Sequence, residues 1–585
     1  MKNLIKLNKL LTIDQKKKTF YLSLFILLGI FFEMSGIGIL IPIMTIVLKN
    51  SESFSNKYIN NTYLLLGKPK HSTLILYSMF FIIIFFTLKY FYLLYLNKKQ
   101  AFFSTSLSSD FSKKLFNGYM NMPYTFHLIR NSSILLRNIQ VEVYQITTVT
   151  QAYISLFMEI SVILGLFVML IIIEPLGALT VAFFLFLSSF LFHQKNKKKL
   201  FNWGLERKIA SSGMNKFILE GLGGVKDIKF LGRESYFVSR YEQHNNQYSI
   251  INANVIYLSQ IPRIFLEFLS IYGLVLMILL QIFRSRPTED LIPILSMFLA
   301  ASFRLIPSIN KIMASIQSIK FTKPVVDGII EEFKIIDSKK SIVKNETLKI
   351  STLNFENNIE IKNLNFQYES TSKVILKNIN LNIKKGSAIG FIGSSGSGKS
   401  TLIDIILGIL TPSEGNIFID KIDINDNLRL WQNLLGYVPQ SIFLSDESIR
   451  NNIAFGIEEE LINEEQIQKA IQMSDLEDFI NSLPKGIETI VGERGVRLSG
   501  GQRQRIGIAR ALYYNPQIII FDEATSALDA ATEDNVMDSI NKLKSIKTMI
   551  IVAHRLSTLS KCDVIYELSD GSVIKSLTPD GLFKK

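Results

Sequence analysis

Cysteine is almost missing from this chain. Cys562 is the single one among 585 residues, and one thiol can form neither a disulfide framework nor a thiolate metal cluster within one chain. Acidic residues are also in short supply, since 50 aspartates and glutamates face 64 lysines and arginines and leave a formal net charge of +14. In a chain with long apolar runs, this excess first indicates anchoring at the inner face of a membrane, and only second a nucleic-acid partner.

Long apolar runs are plentiful, and they lie mostly in the first half of the chain. Hydrophobic residues make up 48% of the sequence, and the mean hydropathy is +0.26. This uneven distribution predicts a membrane half joined to a soluble half. The length alone allows about three or four domains.

Six apolar runs are long enough to be transmembrane helices. The first is too long for the apolar core of a signal peptide and is followed by no small-x-small cleavage site, so we expect it to be retained. The predicted spans are Phe20–Leu48, Thr73–Leu96, Ile146–Ile173, Leu176–His193, Val255–Phe283 and Leu291–Ile312.

The connections after spans two and four, 97–145 and 194–254, are long, polar and helical in character. They carry many lysines and arginines, as does the stretch before span one, and such residues favour the cytoplasmic side. The sequence therefore predicts that both termini and both connections are cytoplasmic. A polar segment after span one, Lys57–Leu66, predicts a short external amphipathic helix.

Each connection is interrupted once, at Asn121–His127 and at Glu220–Asp227. The pattern fits either a short crosswise helix between two longer ones or an ordinary loop, and periodicity does not decide between them. After residue 333 the chain becomes polar and mixed in charge, which indicates a linker. Strands and helices then alternate to the end, which is typical of an α/β domain.

A glycine-rich segment follows the predicted buried strand Ala388–Ile392 and precedes a helical run. Strand, glycine-rich loop and helix with Lys and Ser at its start form the P-loop pattern, in which backbone amides surround phosphates. Lys399 is placed to reach the β and γ oxygens, and the Ser400 hydroxyl to bind Mg²⁺. An ordinary glycine- and serine-rich loop is the alternative, but the Lys-Ser pair in this context disfavours it. The segment is Gly393, Ser394, Ser395, Gly396, Ser397, Gly398, Lys399, Ser400 and Thr401.

Two further motifs lie downstream. The run Ile518–Phe521 ends in Asp522, which suits the Mg²⁺ shell, and Glu523, which suits polarising the attacking water. The pentapeptide Leu498–Gln502 precedes the helical run Gln504–Tyr513 and predicts a second phosphate site at a helix start.

Together these motifs resemble the nucleotide-binding domain of the ATP-binding-cassette (ABC) superfamily over residues 355–585. The resemblance implies that Tyr368 stacks on adenine, that Gln440 links Mg²⁺ to the membrane domain, and that His554 contacts the γ-phosphate. It gives Glu523, His554 and Gln440 catalytic roles and Ser400, Gln440 and Asp522 metal roles. The implied ATP contacts are Tyr368, Gly393, Ser394, Ser395, Gly396, Ser397, Gly398, Lys399, Ser400, Thr401, Ser499, Gly500, Gly501 and Gln502.

Six spans followed by one cassette resemble an exporter-type half-transporter. The implied fold is an all-α six-helix transmembrane domain (1–333), a linker (334–354) and an α/β P-loop domain (355–585). In that family the signature pentapeptide of one chain closes on the ATP held by another, so the resemblance implies a dimer. With every motif intact, a homodimer is expected, and the two interruptions become coupling helices near Met122–Arg130 and Gly221–Asp227.

Charged residues inside the predicted spans are costly and tend to be functional. At about 1.5 Å per residue, Arg263 and Arg304 lie at similar depth in the inner-leaflet half. One interpretation is a cationic lining that also includes Lys311 and binds a phosphate or pyrophosphate headgroup. In the other, Arg263 only neutralises Glu267, while Lys311 and Lys89 snorkel to the inner interface.

The segments Pro262–Glu267 and Arg304–Asn310 resemble those of bacterial flippases for the lipid-linked oligosaccharides of protein N-glycosylation. This implies a polyprenyl-pyrophosphate glycan moved from the cytoplasmic to the outer leaflet of a bacterial inner membrane. A lipid A or phospholipid flippase or a multidrug exporter would share every cassette motif. An ATP-regulated channel or regulator is an alternative of another class, disfavoured by the intact catalytic residues. The six spans exclude an ATPase acting on nucleic acid.

Overall fold

A computed structural model describes most of the chain. The described residues are 11–39, 42–43, 46–47, 63–64, 67, 69–173, 175–283, 288–340, 353–368, 371–523, 533, 546–553 and 555–580. Only the backbone is described at 37, 169–170, 172–173, 176–178, 180–189, 269–270, 273–274, 276–278, 280–283, 288–303, 339–340 and 556–557. The chain divides into two compact units: Met1–Met122 with Phe126–Ile342, and Val343–Lys585 with Pro123–Thr125.

The first unit is helical wherever it has regular structure in the described residues. Six of its helices are long, and each carries one of the predicted spans, although span one extends past the end of its helix into residues outside the described ranges. In chain order the helices are α1 Ile13–Gly38, α2 His71–Met120, α3 Tyr124–Ile129, α4 Ser132–Arg137, α5 Tyr144–Ile173, α6 Pro175–Gly223, α7 Val225–Leu231, α8 Glu234–Phe283 and α9 Thr288–Lys340.

The long helices extend far beyond a bilayer. The 50 residues of α2 make a rod of about 75 Å, whereas the hydrocarbon core is about 30 Å thick. The polar connections are therefore continuations of the spanning helices, as their pattern predicted. Among the described residues, the segments long and apolar enough to cross a membrane are Ile13–Gly36, His71–Met120 and Ser132–Val168.

The two interruptions contain the short helices α3 and α7. The second lies further along the chain than expected, because Gly221–Gly223 still belong to α6 and the short helix begins at Val225. Gly232 follows it in the left-handed conformation that ends a helix, with φ 62°. The external helix predicted at Lys57–Leu66 lies mostly outside the described residues.

The two largest apolar clusters among the described residues of the helical unit share α2, α5 and α9. One joins α1, α2, α5 and α9 at the level of the apolar spans, and the other joins α2, α3, α5 and α9 at the level of the polar extensions. Their buried members are Leu22, Ile26, Ile30, Leu96, Val162, Leu166 and Leu305 in the first, and Leu107, Phe111, Leu115, Tyr119, Met122, Phe126, Val143, Ile146, Ile329, Phe333 and Ile336 in the second.

The second unit has two sheets with helices. Its elements are β1 Asn358–Gln367, β2 Val374–Lys384, β3 Ala388–Ile392, α10 Lys399–Ile406, β4 Glu414–Ile419, β5 Ile422–Asp423, α11 Leu428–Asn433, β6 Leu435–Val438, α12 Ile449–Ile453, α13 Glu464–Met473, α14 Glu477–Asn481, α15 Gly500–Tyr513, β7 Ile518–Asp522, β8 Thr548–Val552, β9 Val564–Ser569 and β10 Ser572–Leu577. The expected fold class, a helical half followed by an α/β half, is confirmed.

The six-stranded sheet positions the site. Its order is β10-β9-β3-β8-β7-β6, and every pair from β9 to β6 is parallel. Strands β7 and β8 are buried along their whole length, which explains their continuous apolar sequences. Since parallel strands end at one edge, the loops after β3, β6, β7 and β8 meet there.

Candidate functional site

The loop after β3 has the backbone that a phosphate-binding loop needs. Gly393 and Gly398 have φ of 151° and 102°, conformations that side chains rarely adopt. A Cβ on Gly393 would lie 2.2 Å from the Leu568 carbonyl oxygen, and one on Gly398 2.8 Å from the Leu376 side chain. Both positions therefore require glycine, and α10 begins immediately afterwards with Lys399.

Lys399 turns back over this loop. Its Nζ donates to the carbonyl oxygens of Gly393, at 2.8 Å, and Ser394, at 3.0 Å. Burial lowers the pKa of Lys399, while Glu523 and Asp522 act in the opposite direction. The Ser397 hydroxyl is buried without a hydrogen-bond partner in the described structure. An orphaned hydroxyl and an ammonium held by loop carbonyls fit a loop that receives phosphate oxygens.

Carboxylates face the loop from the end of β7. Burial raises the pKa of Asp522, and Glu523 raises it further, against the hydrogen bond from the Tyr437 hydroxyl and the charge of Lys399. Glu523 accepts a 2.6 Å hydrogen bond from Gln440 Nε2. Residues expected to act together, Lys399, Asp522, Glu523 and Gln440, thus lie at one edge of the sheet. An acid such as Asp522, whose charge is disfavoured by burial, suits a divalent cation such as Mg²⁺.

Sequence reasoning missed two side chains beside Asp522. Tyr437 lies in β6, next to β7, and burial followed by the Asp522 charge raises its pKa. Asp404 lies on α10, and burial followed by the Asp522 charge raises its pKa to about 6. The position of Tyr437 near the end of a neighbouring strand and that of Asp404, five residues after the P-loop lysine, were the available signals.

The signature pentapeptide is built around a helix start. Helix α15 begins at Gly500, four residues before the predicted run, because Ser499 caps it. Gln502 N donates to Ser499 Oγ at 3.2 Å, and Ser499 N donates to Gln502 Oε1 at 2.9 Å. This reciprocal capping box holds the glycine amides at the positive end of the helix dipole, where an anion is favoured.

The structure describes some of the remaining predicted nucleotide-binding residues and not others. Tyr368 follows β1, is half-buried, and packs edge-on against Phe366 with ring centroids 4.8 Å apart. Ser400 is exposed and Thr401 half-buried at the start of α10. His554 lies outside the described residues.

The intramembrane cations form a connected cluster with two carboxylates. Glu159 Oε1 accepts from Lys311 Nζ at 2.8 Å, and its Oε2 accepts from Ser308 Oγ at 2.7 Å. Arg304 Nη2 lies 3.7 Å from Glu159 Oε2 and 3.2 Å from Glu33 Oε1. Glu33 Oε2 accepts from Lys89 Nζ at 2.8 Å. We call these five charged residues the intramembrane cluster.

Arg263 lies in a different arrangement. Its Nε donates to Glu267 Oε1 at 2.9 Å, one helical turn along α8, and both side chains are exposed. The structure thus brings Arg304 and Lys311 together around Glu159 and gives Arg263 a carboxylate of its own. Sequence reasoning missed Glu33 and Glu159, although each is the only charged residue in its predicted span.

Two family models match the chain. The model described as "ABC transporter transmembrane region" matches residues 19–303, and that described as "ABC transporter" matches residues 376–526. Among curated proteins, an "ATP-dependent lipid A-core flippase" of Wigglesworthia glossinidia brevipalpis is 32% identical over 495 residues, covering 81% of this chain and 80% of that protein. One of the same description from Escherichia coli (strain K12) is 28% identical over 488 residues, with the same coverage.

Two further matches differ in how much of the chain they cover. "ATP-binding cassette sub-family B member 5" of Mus musculus is 42% identical over 255 residues, which cover 43% of this chain and 20% of that protein. Among solved structures, a bacterial Atm1-family ABC exporter with ATP bound has a TM-score of 0.77 and covers 97% of this chain and 96% of that one. At 21% identity, that likeness shows the fold. With a transmembrane region, one cassette and these relatives, the chain belongs to the ABC transporter family as an ATP-hydrolysing exporter half-transporter.

Proposed function

We propose that this half-transporter flips a phosphate-bearing membrane lipid from the cytoplasmic to the outer leaflet of a bacterial inner membrane. The observation that carries the proposal is the intramembrane cluster, in which Lys89, Arg304 and Lys311 pair with two carboxylates among the described residues, Glu33 and Glu159. The three cations leave one positive charge in excess inside an apolar unit. Such a charge is energetically costly in a membrane, and charges of this kind tend to be functional. A phosphate group is the anion that a guanidinium and two ammonium groups bind well.

The ATP chemistry follows from the residues at the sheet edge. Ser400, Asp522 and Gln440 would hold Mg²⁺, which would neutralise the phosphate charges when bound. Lys399 binds the β and γ oxygens, and Glu523 orients the attacking water. We assign His554 to the γ-phosphate from its place in the sequence alone.

Each ATP site is completed by a second copy of the chain in this proposal. Ser499, Gly500, Gly501 and Gln502 of one copy close on the ATP held by the P-loop of the other. Because every motif is intact, we propose a homodimer with two active sites. We further assign α3 and α7 as coupling helices and place both termini in the cytoplasm.

Two lipid classes fit the cluster. The relatives that match over 81% of this chain are named lipid A-core flippases, which favours a phosphorylated glycolipid of the lipid A type. The second candidate, a polyprenyl-pyrophosphate oligosaccharide, is favoured by the segments Pro262–Glu267 and Arg304–Asn310. A multidrug exporter would need no anion, and a channel or regulator would need no turnover, so lipid-stimulated hydrolysis distinguishes all these functions.

The proposal is tested by ATPase activity of the purified chain in liposomes with lipid A, a polyprenyl-pyrophosphate glycan, or an uncharged amphipathic drug. We expect stimulation by a phosphate-bearing lipid that is lost in Arg304→Gln while basal turnover remains. Stimulation by the drug alone would replace the flippase with a multidrug exporter. A wild-type protein without turnover would be a channel or regulator.

A further inference from the structure

Every carboxylate oxygen of the intramembrane cluster has a cationic partner. Both oxygens of Glu33 and both oxygens of Glu159 lie against a cation, and Ser308 adds a hydroxyl donor to Glu159. The cluster joins four helices, since its members lie on α1, α2, α5 and α9. Its outer contacts are short, at 2.8 Å for Lys89–Glu33 and for Lys311–Glu159.

Arg304 is the least satisfied member. Its contacts with Glu33 and Glu159 are the long ones, at 3.2 and 3.7 Å, and both use the same nitrogen, Nη2. Its Nε is buried with no hydrogen-bond partner in the part of the chain that the structure describes. A guanidinium offers five N–H donors and binds phosphate best through two of them. Arg304 therefore keeps donor capacity for an anion.

Access to the cluster is asymmetric. The side chain of Lys311 is 59% exposed and that of Arg304 22% exposed, whereas that of Glu159 is 6% exposed. At the Lys311 end, an approaching anion meets the cations first, with the Glu159 carboxylate behind them, whereas the side chains of Lys89 and Glu33 are covered about equally.

We propose that Glu33 and Glu159 are built-in competitors that set the affinity for the substrate headgroup, an inference that rests on the proposed function. The headgroup phosphate binds Arg304 in place of the two carboxylates, while Lys89 remains paired with Glu33 and Lys311 remains paired with Glu159. Because Arg304–Glu33 is the contact of this cluster that joins α9 to α1, headgroup binding removes the ionic contact between the two helices and leaves the apolar contacts of Leu305 with α1. The carboxylates thus determine how much anionic character a substrate needs, and loss of the ionic contact between α1 and α9 couples its binding to helix movement.

The test measures binding of farnesyl diphosphate, a short polyprenyl pyrophosphate, to the full-length chain in lipid nanodiscs. The compared proteins are wild type, Glu33→Gln, Glu159→Gln and Arg304→Gln. Because all share the same cassette, differences in affinity report the membrane site. Farnesol controls for the apolar tail and inorganic pyrophosphate for the headgroup. Glu220→Gln is the matched protein control. It removes a carboxylate from the exposed pair Lys216–Glu220 on α6, a helix that contributes no residue to the cluster.

We expect Glu33→Gln and Glu159→Gln to bind farnesyl diphosphate about tenfold more tightly than wild type, a gain of about 1.4 kcal/mol. Arg304→Gln is expected to bind about tenfold more weakly. Farnesol binding and the Glu220→Gln protein should be unchanged. If the glutamate variants also bind inorganic pyrophosphate more tightly than wild type, the carboxylates compete with the phosphate groups alone. If they bind only farnesyl diphosphate more tightly, the carboxylates compete with a phosphate carried by a lipid.

Opposite changes in affinity, tighter for the two glutamate variants and weaker for Arg304→Gln, exclude a merely structural role. Loss of a structural ion pair would weaken binding whichever partner is replaced. If both glutamate variants bind the diphosphate no better than wild type while Arg304→Gln loses it, the competition is wrong and the flippase proposal stands. If Arg304→Gln binds as wild type does, the cationic lining and the competition are both wrong. Two glutamate positions keep the test decisive if one variant does not fold.

Discussion

Glu523 has a backbone conformation that few residues other than glycine adopt. Its φ is 52°, and such a conformation costs roughly 1–3 kcal/mol. The conformation is held because Glu523 N donates to the Val552 carbonyl at 3.0 Å, which continues the pairing between β7 and β8 one residue beyond the strand. The carboxylate is thereby turned out of the sheet edge toward Gln440.

The first prediction concerns this carboxylate. Glu523→Gln should reduce ATP hydrolysis by at least about 100-fold, because a carboxamide cannot accept the proton of the attacking water. ATP binding should remain, since Lys399 and the loop amides are untouched. Steady-state hydrolysis and nucleotide binding measured on the same sample check both statements.

Glu465→Gln is the matched control, because it removes an exposed carboxylate that pairs with Lys469 on the same domain. It should hydrolyse ATP at the wild-type rate. A Glu523→Gln protein that retains a tenth or more of wild-type turnover would move the catalytic role to another residue.

Residues of the ATP site were largely predictable from sequence, because each lies at a strand end or helix start within a motif of fixed spacing. Tyr437 and Asp404 were not, since the place of Tyr437 beside Asp522 depends on which strands are neighbours in the sheet, and that of Asp404 depends on how α10 packs against the sheet. The partners of Arg304 were missed for a similar reason. Glu33 and Glu159 come close to it only when three helices pack, and helical periodicity gives no helix order.

Among the elements, α6 and α9 approach so closely that one position requires glycine. A Cβ on Gly204 would lie 2.0 Å from the Phe321 carbonyl oxygen, whereas a Cβ on Gly223, at the end of the same helix, meets nothing within 4 Å. The helices can therefore touch backbone to backbone at Gly204.

The second prediction uses this pair of glycines. Gly204→Ala should destabilise the helical unit by about 1–3 kcal/mol, because a backbone carbonyl cannot move aside. Gly223→Ala should be neutral or stabilising by up to about 1 kcal/mol, since alanine favours the helix. Thermal unfolding of both variants in the same detergent tests the contrast, and equal midpoints would contradict the close approach.

A buried ionic group joins the extensions of the helical unit. Glu142, in the π-helical turn Asn138–Glu142 after α4, lies 3.4 Å from Arg137 Nε and 3.5 Å from Arg207 Nη2 on α6. All three side chains are almost fully buried. The Glu142 carboxylate thus contacts two buried guanidinium groups.

The third prediction removes that carboxylate. Glu142→Gln should destabilise the unit by about 3–5 kcal/mol, because it removes the carboxylate that both buried arginines contact in the described structure. Glu234→Gln, which breaks the exposed pair with Lys229, should change the unfolding midpoint little. Similar midpoints for the two variants would show that the buried group contributes no more than a surface pair does.

At the scale of the whole molecule, the dimer can be tested by complementation. Lys399→Ala disables the P-loop and Ser499→Arg disables the signature, so each homodimer should be inactive. If each ATP site uses both chains, a mixed dimer contains one site in which both motifs are intact. With random pairing, an equal mixture should regain up to roughly a quarter of wild-type hydrolysis. A co-expressed mixture as inactive as its components would mean that each chain forms its own site.

The account as a whole claims that ATP hydrolysis moves a phosphate-bearing lipid past the intramembrane cations. Its most direct test is ATP-driven transfer of such a lipid between the leaflets of sealed liposomes, by wild type, Glu523→Gln and Arg304→Gln. We predict transfer by wild type alone, with basal ATP hydrolysis retained in Arg304→Gln and lost in Glu523→Gln. Transfer by Arg304→Gln at the wild-type rate would contradict the account.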